Sequence, residues 1–249
     1  MKECVFPEYI KDGKPQGDLI RHLRGVIREW DSIKECYLNA IYRVLRRISD
    51  KLEKEEVDKL IRVMLLLHDY GKLAKAYLNV RGYLHEILGA YLALKIKTEE
   101  RIKRLISAAI FLHHEHRIYK FLKRGGLPII SVSVLSQILG KFPNEIEMLE
   151  YANECFIKLL REEGVENYLS EDYLCDSYRK EDIYSLIAKE LSRLSQKSGY
   201  KLFFGLGILN HILILTDIRD AYKNREEHRR ELSLYFELVI KGGRLCRSY

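Results

Sequence analysis

The sequence predicts an all-α helical bundle, and three observations carry that reading. Apolar residues recur at spacings of three and four along most of the chain. Helix-breaking residues are scarce, with 4 Pro and 15 Gly among 249 residues. Such breaks as there are fall between the periodic segments, at Gly13 to Gly17, Gly71, Arg81-Gly82, Gly125-Gly126-Leu127-Pro128, Gly164 and Gly199. Helices are expected near 18–30, 33–49, 54–70, 83–97, 99–123, 144–163, 180–197 and 202–230. Leu127 to Val134 is β-branched and reads either way, and Leu232 to Cys246, with Lys241-Gly242-Gly243 inside it, could fold back as a small C-terminal hairpin. Neither a repeat nor a long linker divides the chain, so residues 1–249 are expected to form one domain around one core.

Taken in order, several of these helices carry polar residues where core residues belong. In the first, Leu19, His22, Leu23, Val26 and Trp30 share a face, which sets His22 among apolar neighbours. The third expected helix ends in Leu65-Leu66-Leu67-His68-Asp69-Tyr70-Gly71-Lys72, an apolar run leading into a His-Asp pair. After Gly82, His85 lies on a face with Leu84, Leu88 and Leu92. In the next helix the stripe Ile106, Ala109, Ile110 continues one turn later as His113 and His114. In the last, Leu206, Leu213 and Ile214 lead to Asp217, while Asp220, among Arg219, Lys223 and Arg225, is expected on the exposed side. His211, His228 and His116 fit no shared pattern and read as surface or structural residues.

Any one of these residues alone could be an ordinary core histidine or a helix-end polar group. Together, five histidines and two aspartates turned inward are hard to bury without compensation. A divalent metal supplies it, because imidazole nitrogens donate lone pairs and the two oxygens of Asp69 can bind one ion or bridge two. Lys72, four residues after His68 and three after Asp69, falls on their face and suits an anionic substrate such as a phosphodiester.

Composition narrows the field. The net charge of +7 and a pI near 9.0 fit a nucleic-acid partner. No apolar stretch is expected to reach the length of a membrane span, and Met1-Lys2-Glu3-Cys4 does not read as a signal peptide. Five scattered cysteines, at 4, 36, 155, 175 and 246, form no C-x-x-C and read as free thiols of a reducing cytoplasm.

The order His22, His68-Asp69-x-Gly71-Lys72, His85, His113-His114, Asp217 resembles the HD superfamily of metal-dependent phosphohydrolases. The extra His85 and the adjacent His113-His114 are similar to the HD nuclease of type I CRISPR interference systems, which occurs fused to a helicase or as a separate chain. The resemblance spans about residues 18–225 and leaves 226–249 as a C-terminal extension. In the last motif it departs from the family pattern, reading Thr216-Asp217-Ile218-Arg219-Asp220-Ala221.

The resemblance implies an HD-domain bundle with two divalent transition-metal ions, Mn, Fe, Co or Ni rather than Mg. His22, His68, Asp69 and Asp217 would hold one ion and His85, His113 and His114 the other, with Asp69 bridging and Lys72 neutralising charge on the phosphate. It also implies cleavage of single-stranded DNA in CRISPR interference. No P-loop is present, so a separate helicase and an RNA-guided complex would present the strand. Arg117, Lys120, Lys123 and Arg124, interleaved with Tyr119 and Phe121, form a candidate DNA-guiding segment beside His114. The competing readings are an HD phosphohydrolase acting on nucleotides or cyclic dinucleotides, and a non-catalytic protein that keeps the fold.

Overall fold

A computed structural model describes residues 4–11, 13–80, 83–114, 135–136, 139–196 and 200–224. The candidate DNA-guiding residues 117–124, His116, His228 and the possible C-terminal hairpin lie outside them. The expected all-α bundle is present. Its helices are α1 (Leu19–Arg46), α2 (Lys54–Leu67), α3 (Lys75–Asn79), α4 (Glu86–Ala93), α5 (Glu100–Leu112), α6 (Ala152–Glu162), α7 (Lys180–Gln196) and α8 (Tyr200–Asn224). Two small antiparallel pairs, β1 (Tyr9–Lys11) with β2 (Lys14–Gln16) and β3 (Glu145–Glu147) with β4 (Ser177–Arg179), sit beside it.

Helix α1 opens where Asp18 accepts hydrogen bonds from the backbone N–H of Ile20 at 3.0 Å and Arg21 at 3.4 Å. Its buried stripe runs from Leu19, His22 and Leu23 through Val26, Trp30 and Ile33. Two helices were expected here, yet α1 is continuous through Asp31-Ser32. The Ser32 hydroxyl donates to the Glu29 carbonyl at 2.7 Å instead of capping a new helix. Helix α1 packs against α2 and α8, α5 against α4 and α8, and α4 against the C-terminal end of α2. The last turns of α2, from Val63 to Leu67, are fully buried on every side, which only an interior helix tolerates.

Other expectations are corrected. The segment expected to be helical from 144 begins as strand β3, where Glu145, Ile146 and Glu147 alternate exposed, buried and exposed. Helix α6 starts only at Ala152, after Tyr151 in the left-handed region with φ of 61°. The cysteines are not all free thiols: Cys4 and Cys155 form a disulfide that ties the N-terminal segment to α6, and Cys36 is also disulfide-bonded. Cys175 is free and exposed. Spacing could not show this pair, because folding brings together residues 151 positions apart. Leu202–Asn224 is long and apolar enough to cross a membrane, by length and composition alone. Here it packs on α1 and α5 and carries the buried Asp220 near its C-terminal end.

The backbone of α4 presses against the His-Asp turn because two glycines leave room. A Cβ on Gly89 would lie 2.1 Å from the Leu67 carbonyl oxygen, and one on Gly71 would lie 2.1 Å from that of His85. Gly89→Ala is therefore expected to destabilise the protein by about 1–3 kcal/mol through forced separation of α2 and α4. Chemical denaturation measures this, and a midpoint equal to wild type would contradict the tight approach.

Candidate metal centre

Five helices deliver the site. His68 follows the last residue of α2, and its Nδ1 lies 2.6 Å from the Leu65 carbonyl oxygen. A carbonyl only accepts, so Nδ1 carries a proton and Nε2 is the nitrogen turned toward the cluster. His113, which caps α5, repeats the device with the Ile110 carbonyl at 2.5 Å. His114 follows it, His85 sits immediately before α4, His22 comes from α1 and Asp217 from α8. Asp69 begins a 3-10 turn, Tyr70–Leu73, which returns Lys72 so that its Nζ donates to Asp69 Oδ2 at 2.6 Å.

Asp69 stands between two groups of donors. Its Oδ1 is 2.9 Å from His85 Nε2, whereas its Oδ2 is 3.4 Å from both His22 Nε2 and His68 Nε2. Asp217 Oδ1 lies 3.2 Å from His22 Nε2 and 3.9 Å from His68 Nε2. On the other side, His114 Nε2 is 3.3 Å from His85 Nε2. Ligand atoms of Asp69, His85, His113 and His114 fall within 4.8 Å of one another, as do those of His22, His68 and Asp69. Both groups could hold a metal ion.

Buried polar atoms without partners support that fit. The Nε2 atoms of His22, His68 and His113 and Asp69 Oδ1 are shielded from solvent and make no hydrogen bond. A polar atom left unmatched in the interior is costly, whereas a nitrogen or carboxylate oxygen that coordinates a cation is satisfied. The side chain of Asp217 is 22% exposed while those of His22 and His68 are at 1% and 0%, so the centre opens to solvent at its Asp217 side.

Electrostatics separate the donors further. Burial opposes charge on His22, but Asp217, Asp220 and Asp69 outweigh it and hold this imidazole well above the usual histidine range. Burial would push Asp69 up; the surrounding His68 and Lys72, followed by His22 and His85, hold it well below the usual carboxylate range. Asp217 behaves likewise, burial being overcome by His22 and His68. For Lys72, burial is overcome by Asp69 and the ammonium is retained. Burial, reinforced by His68 and His85, lowers His113 to about 3. His114 is also lowered, by burial and by His113 and His85.

All seven sequence-selected ligand candidates (His22, His68, Asp69, His85, His113, His114 and Asp217) converge here, with Lys72 beside them. Asp220 is corrected: far from being exposed, it is 3% accessible, and its Oδ2 lies 2.7 Å from His22 Nδ1. Sequence reading also missed two acids. Glu8 Oε1 is 3.5 Å from His22 Nδ1, and the fully buried Glu86 has Oε2 3.7 Å from His85 Nδ1. Glu86 directly follows His85, which was the one available signal; Glu8 offered none.

The helical bundle thus gathers five histidines and the His68-Asp69 turn into one buried cluster of candidate metal ligands. The HD domain family matches residues 40–147, which include His68, Asp69, His85, His113 and His114 and leave out His22 and Asp217. The chain is similar to proteins named CRISPR-associated endonuclease Cas3-HD. That from Methanocaldococcus jannaschii is 27% identical over 216 residues, 82% of this chain and 85% of the relative. That from Pyrococcus furiosus is 27% identical over 225 residues, 85% and 91% of the two chains. The solved structure of the CRISPR-associated Cas3 HD domain protein from Methanocaldococcus jannaschii matches with a TM-score of 0.60 at 26% identity, over 80% of this chain and 95% of that one. The chain is thus similar to the HD domain over residues 40–147, and its similarity to proteins named CRISPR-associated endonuclease Cas3-HD extends along most of its length.

The neutral, buried state of His113 has a consequence for pH. An unfolded histidine titrates near 6.5, whereas folded His113 resists protonation down to about 3. The unfolded state therefore binds the extra proton between these values, and stability falls as pH drops through that window. In metal-stripped protein, the melting temperature should fall more steeply from pH 6.5 to 4 in wild type than in His113→Leu. Equal slopes would contradict the assignment.

Proposed function

We propose that this chain is a metal-dependent nuclease that cleaves phosphodiester bonds of single-stranded DNA in CRISPR interference. The observation that carries the reading is Asp69, whose two oxygens face different imidazole groups, Oδ1 toward His85 and Oδ2 toward His22 and His68. Such a carboxylate suits a two-metal site, with His22, His68 and Asp217 on one ion and His85, His113 and His114 on the other. When bound, paired divalent ions activate water and stabilise the attacking and leaving oxygens of an in-line displacement at phosphorus. The imidazole-rich donor set favours Mn, Fe, Co or Ni over Mg.

The protein's own residues do the rest. His68 and His113 keep Nδ1 protonated against backbone carbonyls, which holds Nε2 on the ligand side. Lys72, kept charged beside Asp69, is placed to offset negative charge accumulating on the phosphate. Partial exposure at Asp217 gives a strand its approach. The relatives' names supply the CRISPR context. In this reading a separate helicase and an RNA-guided complex deliver the strand, in the cytoplasm, as the family resemblance implies.

Assays on the full chain with a metal panel test this reading. Chelation should abolish cleavage of single-stranded DNA, and Mn, Co or Ni should restore it better than Mg or Ca. Intact duplex should be cut poorly. Efficient hydrolysis of free nucleotides or cyclic dinucleotides with DNA untouched would instead support the small-molecule phosphohydrolase. Lys72→Ala should lower the turnover rate about 100-fold, the order seen when one transition-state donor is removed. Its metal content should stay at the wild-type level; loss of metal would make Lys72 a structural partner of Asp69 only.

A further inference from the structure

His22 has two differently occupied faces. Its Nε2 looks toward Asp69 and Asp217, while its Nδ1 lies 2.7 Å from Asp220 Oδ2. Asp220 is one helical turn beyond Asp217 on α8 and is 3% exposed. Its carboxylate reaches the ring only because α1 has no side chain in the way. A Cβ on Gly25, one turn after His22, would lie 1.8 Å from Asp220 Oδ1. The second oxygen is held as well: Asn224 Nδ2 donates to Asp220 Oδ1 at 2.7 Å and to the Asp220 carbonyl at 3.1 Å. Glu8, the other acid facing this nitrogen, stands further off at 3.5 Å.

We propose that Asp220 is the positioning residue for His22, fixing Nδ1–H in the Gly25 slot so that Nε2 is aimed at the metal position and gives up its proton when an ion binds. An ionised carboxylate only accepts, so the ring nitrogen facing it must be the protonated one. The pairing sets His22 apart from His68 and His113, whose Nδ1–H groups meet neutral backbone carbonyls. A carboxylate partner raises the donor strength of its imidazole above what a carbonyl achieves. Asp220 therefore strengthens the His22, His68 and Asp69 group specifically, without touching the ion. The inference rests on the metal-binding reading above.

The test is a Co2+ titration of the metal-stripped full chain, followed by visible absorption, for wild type, Asp220→Asn and Asn224→Ala. An amide at 220 has one acceptor oxygen for two donors, His22 and Asn224, so one of them loses its partner. Asp220→Asn should weaken one binding step by about 10- to 100-fold and alter the absorption of that step alone, the step that His85→Ala leaves intact. Asn224→Ala, which removes an exposed side chain and only loosens the carboxylate, should give a smaller loss in the same step. If Asp220→Asn does not fold, Asn224→Ala decides. Wild-type affinities and spectra in the folded variants would overturn the assignment, as would an equal loss in both steps. A wild-type protein that takes up no Co2+ would sink the metal-binding reading itself.

Discussion

The structure depends on how it satisfies Asp69, a carboxylate at the centre of a buried cluster of imidazoles. Burying an unpaired carboxylate costs several kcal/mol even after relaxation, so its surroundings are tightly specified. Lys72 comes back from the same turn to donate to Oδ2, while His85 approaches Oδ1 from the start of α4. His22 and His68 stand on the far side. The Lys72 ammonium and three imidazoles around one acid favour its carboxylate form despite burial.

The bundle can be understood as the scaffold that this arrangement requires. Helix α2 is apolar on all sides at its end, which drives His68 and Asp69 into the interior. Gly71 and Gly89 let the α4 backbone close on that turn, and Ser107 on α5 ties to the Ala90 carbonyl at 2.7 Å, fixing the helix that ends in His113. On the opposite side, α8 lies along α1 and joins it through Arg219 to Glu29 at 2.8 Å. That pairing sets Asp217 against His22. Each candidate ligand comes from a helix end or a helix face whose position is fixed by packing away from the cluster, so the arrangement does not depend on the cluster to hold it in place.

Much of this was legible in the sequence because polar residues on apolar stripes are anomalies, and anomalies can be counted. His22, His113 and Asp217 each continue a helical hydrophobic stripe, and all three enter the centre. Asp220 was hidden by its neighbours: Arg219 and Lys223 suggested solvent, yet both turn to Glu29 on α1 while Asp220 turns inward. Its slot depends on Gly25, far earlier in the chain, and no local pattern connects the two. The same holds for Cys4 with Cys155, and for Glu8, which reaches His22 through the course of the N-terminal segment. Strand β3 was obscured by its brevity, since three residues cannot establish a period of two against the helical signal that follows.

The central claim is that one carboxylate serves both imidazole groups. The most direct measurement is the metal content of Asp69→Ala beside His85→Ala and wild type, by elemental analysis after Mn2+ or Co2+ loading of folded, full-length protein. The account predicts that His85→Ala loses metal from one group, whereas Asp69→Ala loses it from both. An Asp69→Ala protein that keeps the wild-type content, or loses only as much as His85→Ala, would contradict it.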